Sequence, residues 1–169
     1  TRTRSFACYG IGLIAYSNND FDLKTKAFKA LSKILLDETH NERNIKVAAI
    51  NGIALLKLKT KNGNTKEKNL LAAALADLDT YYDRKAGRGT DLIKSHVPVG
   101  IAKLIGRGDT DLHKHYKGKF LKQLTSRKKQ SNDIYRAAAL ALGQLVMPKG
   151  DEKYSKALLK YFENGKDAQ

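Results

Sequence analysis

Apolar residues recur at helical spacing along this chain, in stretches separated by short polar clusters. In the last stretch Tyr154, Ala157, Leu158, Tyr161 and Phe162 fall at i, i+3, i+4, i+7 and i+8, the stripe of a helix that buries one face. Its other face carries Lys153, Lys156, Lys160 and Glu163, as suits an outermost helix. The spacing predicts helices in four pairs. First helices fall at about 3–16, 44–59, 92–106 and 133–147, and second helices at about 22–37, 65–83, 111–126 and 151–163. Turn residues punctuate them at Ser17-Asn18-Asn19-Asp20, Lys61-Asn62-Gly63-Asn64, Gly87-Arg88-Gly89, Gly106-Arg107-Gly108-Asp109 and Pro148-Lys149-Gly150. Asp22, Thr65, Asp91, Asp111, Asp133 and Asp151 stand where N-caps or first-turn acids belong.

The first stretch departs from this pattern. No charge occurs from Phe6 to Tyr16. A helix apolar all round is buried all round, whereas the first helix of a repeat array should keep a polar face. Residue 1 is also not Met. The expectation is a single repeat domain over 1–169 that belongs to a longer chain on its N-terminal side, with the first helix covered by missing repeats or another subunit. The alternative is a helix shielded by the two neighbours already in the chain.

The first helices share a motif: Gly10-Ile11-Gly12-Leu13-Ile14, Gly52-Ile53-Ala54-Leu55-Leu56, Gly100-Ile101-Ala102-Lys103-Leu104 and Ala141-Leu142-Gly143-Gln144-Leu145. Its second small residue recurs at 12, 54, 102 and 143, in steps of 42, 48 and 41. Upstream, Ala7, Ala49, Val97 and Ala138 agree, as do Arg4, Lys46 and Lys94, where the fourth copy has Tyr135 beside Arg136. A period of about 40 to 47 residues marks a helical repeat array. Interior Gly costs a helix about 1 kcal/mol against Ala. Its recurrence predicts that Gly12, Ala54, Ala102 and Gly143 sit at equivalent buried points of close helix contact.

The segment from Ile134 to Leu145 resembles the first helix of a bacterial HEAT-like repeat, with an apolar residue, Arg136, a run of alanines, then Ala141-Leu142-Gly143-Gln144-Leu145. Arg4 with Ala7, Ile11, Gly12 and Ile14 resembles it too, as do Lys46 with Ala49, Ile53, Ala54 and Leu56. The third copy departs, with Val97 for Ala and Pro98 inside the helix, where proline should kink it. The resemblance spans nearly the whole chain. It implies an all-α fold, an α-solenoid of about four HEAT-like helix pairs, rather than any activity. HEAT-like arrays mostly bind proteins; some bind DNA, and one branch cleaves alkylated bases from it. That branch uses a base-stacking aromatic, usually Trp, beside a catalytic Asp, and this chain has no Trp.

Composition bears on the partner. The chain has 169 residues, 41% of them hydrophobic, enough for one domain with a continuous core. Lys and Arg number 32 against 17 Asp and Glu, a net charge of +15. Such an excess favours an anionic partner, and the plainer reading is a well-solvated surface. Cys8 alone cannot form an internal disulfide and reads as a packed thiol. No apolar run approaches the roughly 20 residues of a membrane span, so no membrane insertion and a cytoplasmic location are expected.

The lysines form stripes on the second helices: Lys26, Lys29 and Lys33; His115, Lys119 and Lys122; Lys153, Lys156 and Lys160. The resemblance implies that second helices line the concave side, where these stripes would stack into a ridge. The second pair interrupts it, with Lys66 and Lys68 opposed by Asp77, Asp79 and Asp83. Basic loops at Arg84-Lys85 with Arg88, and at Arg127-Lys128-Lys129, fall on one edge. The candidate partner-binding residues are therefore Lys29, Lys33, Lys119, Lys122, Lys156, Lys160, Arg127, Lys128 and Lys129. The Gly-Arg-Gly segments precede helix starts, where anions bind, though turns explain their glycines equally well.

These observations suggest a non-enzymatic interaction scaffold for an acidic protein. The alternative is a nucleic-acid-binding module that contacts the phosphate backbone without base readout. Tyr81, Tyr82, Tyr116 and Tyr135 are too scattered for a stacking platform. No catalytic, cofactor or metal site is expected. His113 and His115 are two apart and diverge on a helix, unlike metal pairs, and no phosphate-cradling Walker loop occurs. Arg107-Gly108-Asp109 reads as a turn rather than an adhesion tripeptide.

Overall fold

The computed structural model describes residues 2–39, 42–59, 63–84, 90–126 and 130–164, and all regular structure among them is helical. Helices form where the apolar stripes lie: α1 (Arg2–Ser17), α2 (Phe21–Leu36), α3 (Arg43–Ala54), α4 (Thr65–Asp83), α5 (Thr90–Lys94), α6 (His96–Ile105), α7 (Asp111–Leu124), α8 (Asn132–Leu145) and α9 (Glu152–Asn164). Side-chain caps set two of the starts. Asp20 accepts from the Asp22 N–H at 2.8 Å to open α2, and Asn64 accepts from the Glu67 N–H at 2.9 Å to open α4.

Two boundaries differ from the periodicity. The third first-helix is split at Ser95 into α5 and α6. Pro98 has no N–H to offer the Lys94 carbonyl, and its ring needs room there, so the helix restarts with Pro98 in its first turn. Helix α3 stops at Ala54, short of the expected 59. Lys57 adopts φ 49°, in the left-handed region that ends helices, while Leu56 and Leu58 stay buried. Their apolar character serves the core and carries no information about helix length.

The first helices pack in sequence, α1 on α3, α3 on α6 and α6 on α8. Among the second helices, α2 packs on α4 and α7 on α9, and each also touches a first helix. A side-chain bridge joins α4 to α7, where the Tyr116 hydroxyl donates to Asp79 at 2.9 Å. One apolar core runs from Cys8 to Tyr154.

Small residues set the α1–α3 approach. A Cβ on Gly12 would lie 2.7 Å from the Gly52 Cα, and one on Gly52 would lie 2.9 Å from Leu31 Cδ1. At the next contact, a Cβ on Gly100 would meet Ala54 Cβ at 3.8 Å and Ile50 Cγ2 at 3.1 Å. The second small residue of one copy thus faces the first small residue of the next. Gly143 departs from the expected equivalence. Gly12, Ala54 and Ala102 are buried, but Gly143 is exposed with no described atom within 4 Å of an added Cβ. It belongs to the last first-helix, and no described helix covers that side.

Alanine scanning should separate these glycines. Gly12→Ala must push backbone from backbone and is expected to destabilise by about 1–3 kcal/mol, against a helix-propensity gain of about 1 kcal/mol. Gly143→Ala keeps the gain without the clash and should stabilise by up to about 1 kcal/mol. Urea midpoints followed by circular dichroism measure both, and equal shifts would refute the assigned contact.

Helix α1 is not shielded by its neighbours. Phe6 is 73% exposed and Ile14 57%, and Leu13 and Tyr16 are exposed as well. Ala7 and Tyr9 are exposed too, and the buried residues of this helix are Cys8, Gly12 and Ala15.

Candidate partner-binding surface

Each second helix turns one face to the core and one to solvent. On the solvent face, Lys29 and Lys33 of α2, Lys114 and Lys122 of α7, and Lys156 and Lys160 of α9 are exposed. Lys119 is held differently. Its ammonium pairs with Asp79 at 2.7 Å and lies 3.8 Å from Asp83, with the Tyr82 ring 5.5 Å away. Arg127, Lys128 and Lys129, like Lys85, Arg88 and the first Gly-Arg-Gly segment, lie outside the described residues.

Two acids of α4, Asp77 and Asp79, face sideways, while Asp83 is exposed. Ser32 of α2 donates to Asp77, and Tyr116 and Lys119 of α7 both donate to Asp79. These carboxylates tie α4 to a neighbour on each side, so they do not oppose the ridge as the sequence suggests. Burial, reinforced by Asp79 and Asp83, drives the Tyr116 hydroxyl far above its usual range. Burial first, then Asp83, Asp91 and Asp79, pushes Tyr82 up to about 12. Both phenols therefore stay neutral in this acidic seam; Tyr116 donates to Asp79, whereas the buried Tyr82 hydroxyl meets no hydrogen-bond partner among the described residues. The exposed residues of α4 include Ala72, Ala73, Ala76 and Thr80 along its middle, with Lys66 and Lys68 near its start and Asp83 at its end.

Among the described residues four lysines are buried and do not contribute to any surface. The Lys46 ammonium donates to the carbonyls of Ile34 at 2.8 Å and Leu35 at 3.0 Å, and to that of Asp37. Lys94 donates to the Arg84 carbonyl. Each thus closes the C-terminus of the second helix before it, where free carbonyls and the helix dipole favour a cation. In the fourth copy Tyr135 donates to the Ser126 carbonyl at 3.4 Å, just past the end of α7. Lys24 donates to the Lys57 carbonyl at 3.1 Å, and Lys117 to the Gly108 carbonyl at 2.9 Å and to the Asp151 carboxylate. Burial pushes Lys24, Lys46 and Lys94 below the usual lysine value. The repeat column 4, 46, 94 and 135 was the signal for two of them: a basic residue recurring inside an apolar stripe.

The remaining motifs have structural roles. Gly106 takes φ 65°, and a Cβ on Gly108 would fall 2.4 Å from the His113 ring. That buried ring meets the Thr110 hydroxyl at 2.6 Å and the Ile105 carbonyl at 3.3 Å, latching the turn. Arg107 of the Arg-Gly-Asp tripeptide donates to the Gln144 carbonyl at 3.3 Å, and Arg84 to that of Leu36 at 3.1 Å. Among the described residues no three His, Cys, Asp or Glu side chains come together as metal ligands. Cys8 is buried, and burial pushes its thiol up. No described helix is long and apolar enough to cross a membrane.

Fold and surface together define an all-helical protein with a lysine-studded face. No family model, curated protein or solved structure matches the chain.

Proposed function

We propose that this chain is an α-solenoid of four HEAT-like helix pairs and a non-enzymatic scaffold for an acidic protein segment. The observation that carries the reading is the outward side of the second helices. Helix α2, which exposes Lys29 and Lys33, packs on α4, which exposes Ala72, Ala73 and Ala76, and α7, which exposes Lys122 and the Asp111-paired Lys114, is bridged to α4 through Asp79. Asp77 and Asp79 of α4 are turned into the seams, and Asp83 stays exposed near Lys119. Lysines attract an acidic segment and speed its encounter. The alanine stretch leaves room for an apolar anchor, the group that carries most of the affinity in protein contacts. A phosphate backbone would need the lysines only, so the alanines favour a protein over a nucleic acid. Lys119 supports this surface by bracing α7 against α4, and Lys29, Lys33, Lys122, Lys156 and Lys160 are the contact residues.

Two probes test the reading: a synthetic glutamate-rich peptide with spaced leucines, and a random-sequence duplex. The peptide should bind at physiological salt, and Ala72→Gln with Ala76→Gln should weaken it while leaving duplex binding unchanged. Charge reversal at Lys29, Lys33, Lys122 and Lys156 should abolish peptide binding. Duplex binding through six or more phosphates loses about 10³-fold or more between 50 and 200 mM salt. Steeply salt-sensitive duplex binding without peptide binding would replace the scaffold by the nucleic-acid module. No binding of either probe would remove both readings.

A further inference from the structure

The two ends of the molecule carry complementary halves of one interface. In α1 the stripe Arg4, Ala7, Ile11 and Ile14 corresponds in register to Lys46, Ala49, Ile53 and Leu56. Those counterparts are buried, the last three completely, on the side where Lys46 reaches the end of α2 and Gly52 meets Leu31. The counterparts Val97, Ile101 and Leu104, and Ala138, Leu142 and Leu145, are buried as well. Only in α1 is the stripe open: Arg4, Ala7 and Ile14 are exposed, and Gly10, the counterpart of Gly52, meets no described atom within 4 Å. A groove of about 250 Å³ lies there, lined by Ile11 and Ile14 of α1 and by Leu23, Lys26, Ala27 and Ala30 of α2.

The opposite end offers what this groove lacks. Gly143, the counterpart of Gly12, is open. Phe162 lies as far beyond Gly143 as Leu31 lies beyond Gly12, and Leu159 likewise corresponds to Phe28. Phe28 and Leu31 are buried, and Leu31 packs on Gly52; Leu159 and Phe162 are 59% and 83% exposed.

We propose that a second copy of this chain docks head to tail, with α8 and α9 of one copy on α1 and α2 of the next. Gly143 then faces Gly10 as Gly12 faces Gly52. Phe162 enters the Ile11–Ile14 groove in the place that Leu31 takes at the internal contact. The occupant is a second copy because one chain exposes both halves, each fitted to the other by the register. The contact uses different patches on the two partners, so it does not close with two copies and chains of copies form. Both ends are basic, with Arg2, Arg4 and Lys26 on one and Lys153 and Lys156 on the other. Salt that screens this repulsion strengthens the association, opposite to its effect on an acidic partner. The inference rests on the repeat register and not on the lysine face, so either can fail alone.

Sedimentation velocity over a range of concentrations and salt tests it. The wild-type chain should grow past a dimer with concentration, more so at higher salt. Gly10→Gln and Gly143→Gln each alter a position with open space around it, and an unchanged circular dichroism spectrum with melting no lower than wild type would confirm their fold. Each variant alone should be monomeric. Mixed in equal amounts, they should form a 1:1 dimer and stop, because one open end of each remains. Ile14→Glu and Phe162→Glu should reproduce the pattern. A wild-type monomer at every concentration overturns the proposal. So does self-association of either variant alone, which marks a symmetric contact, or failure of the mixture to pair.

Discussion

Replacing Lys117 with methionine is expected to cost about 3–5 kcal/mol, the loss typical when one partner of a buried ion pair is removed. The Lys117 side chain is 2% exposed and its Asp151 partner 10%. One ammonium holds the Gly108 carbonyl in the turn before α7 and the Asp151 carboxylate in the turn before α9. Methionine keeps most of the stem's volume, so the loss reports the charge and its hydrogen bonds rather than a cavity. Asp151 would be left with only the Met147 N–H, now 2.8 Å away, as a partner. Urea unfolding measures the cost, and a loss below about 1 kcal/mol would place the pair in the weak class of surface bridges.

The same pair sets an acid limit. Burial alone pushes the Asp151 carboxyl up, but the hydrogen bonds from Lys117 and the Met147 N–H, with the charges of Lys117 and Lys153, together hold it below 3.8. A depressed carboxylate contributes stability that is fully present above its unfolded value and is lost as pH falls through the folded one. The stability gap between wild type and Asp151→Asn should therefore be constant from neutral pH down to about 5, and should close below 3.8. A gap that persists at the lowest pH at which the protein folds would show that Asp151 acts by shape and not by charge.

Lys46→Met should cost about 2–3 kcal/mol, near the upper range for a hydrogen bond from a charged donor. Three carbonyls at the end of α2 lose their donor together, and such losses do not add in full. Relief of the buried ammonium offsets part of the cost. Protection of amides in α2 against hydrogen exchange should fall first at its C-terminal end. Lys29→Met, on the exposed face of the same helix, is the control and should move stability by no more than about 0.5 kcal/mol.

Much of the helical framework was legible because its signals are local. The i, i+3, i+4 stripe of Tyr154, Leu158 and Tyr161 depends only on neighbouring residues, and Pro98 announces a break wherever a helix runs through it. The end of α3 was not legible. Leu55, Leu56 and Leu58 are as apolar in a turn that fills the core as in another helical turn, and only the position of Lys24, whose ammonium holds the Lys57 carbonyl, shows which it is. Gly143 shows the same limit. It shares its motif with Gly12, but a close contact needs a neighbour as well as a small residue.

The sequence by itself determined the all-helical class, the rough bounds of most helices and the excess of positive charge. These are properties of residue type and spacing along one chain. Only the tertiary structure decided which charges remain at the surface. Lys46, Lys94 and Lys117 close helix ends and turns, Lys119 pairs with Asp79 in a seam, and Lys29, Lys33 and Lys122 stay in water. The reason is that the partner of each buried cation lies on another element. Lys46 and the Leu35 carbonyl, or Lys119 and Asp79, come within hydrogen-bonding distance only when their helices pack, and no local pattern encodes that meeting.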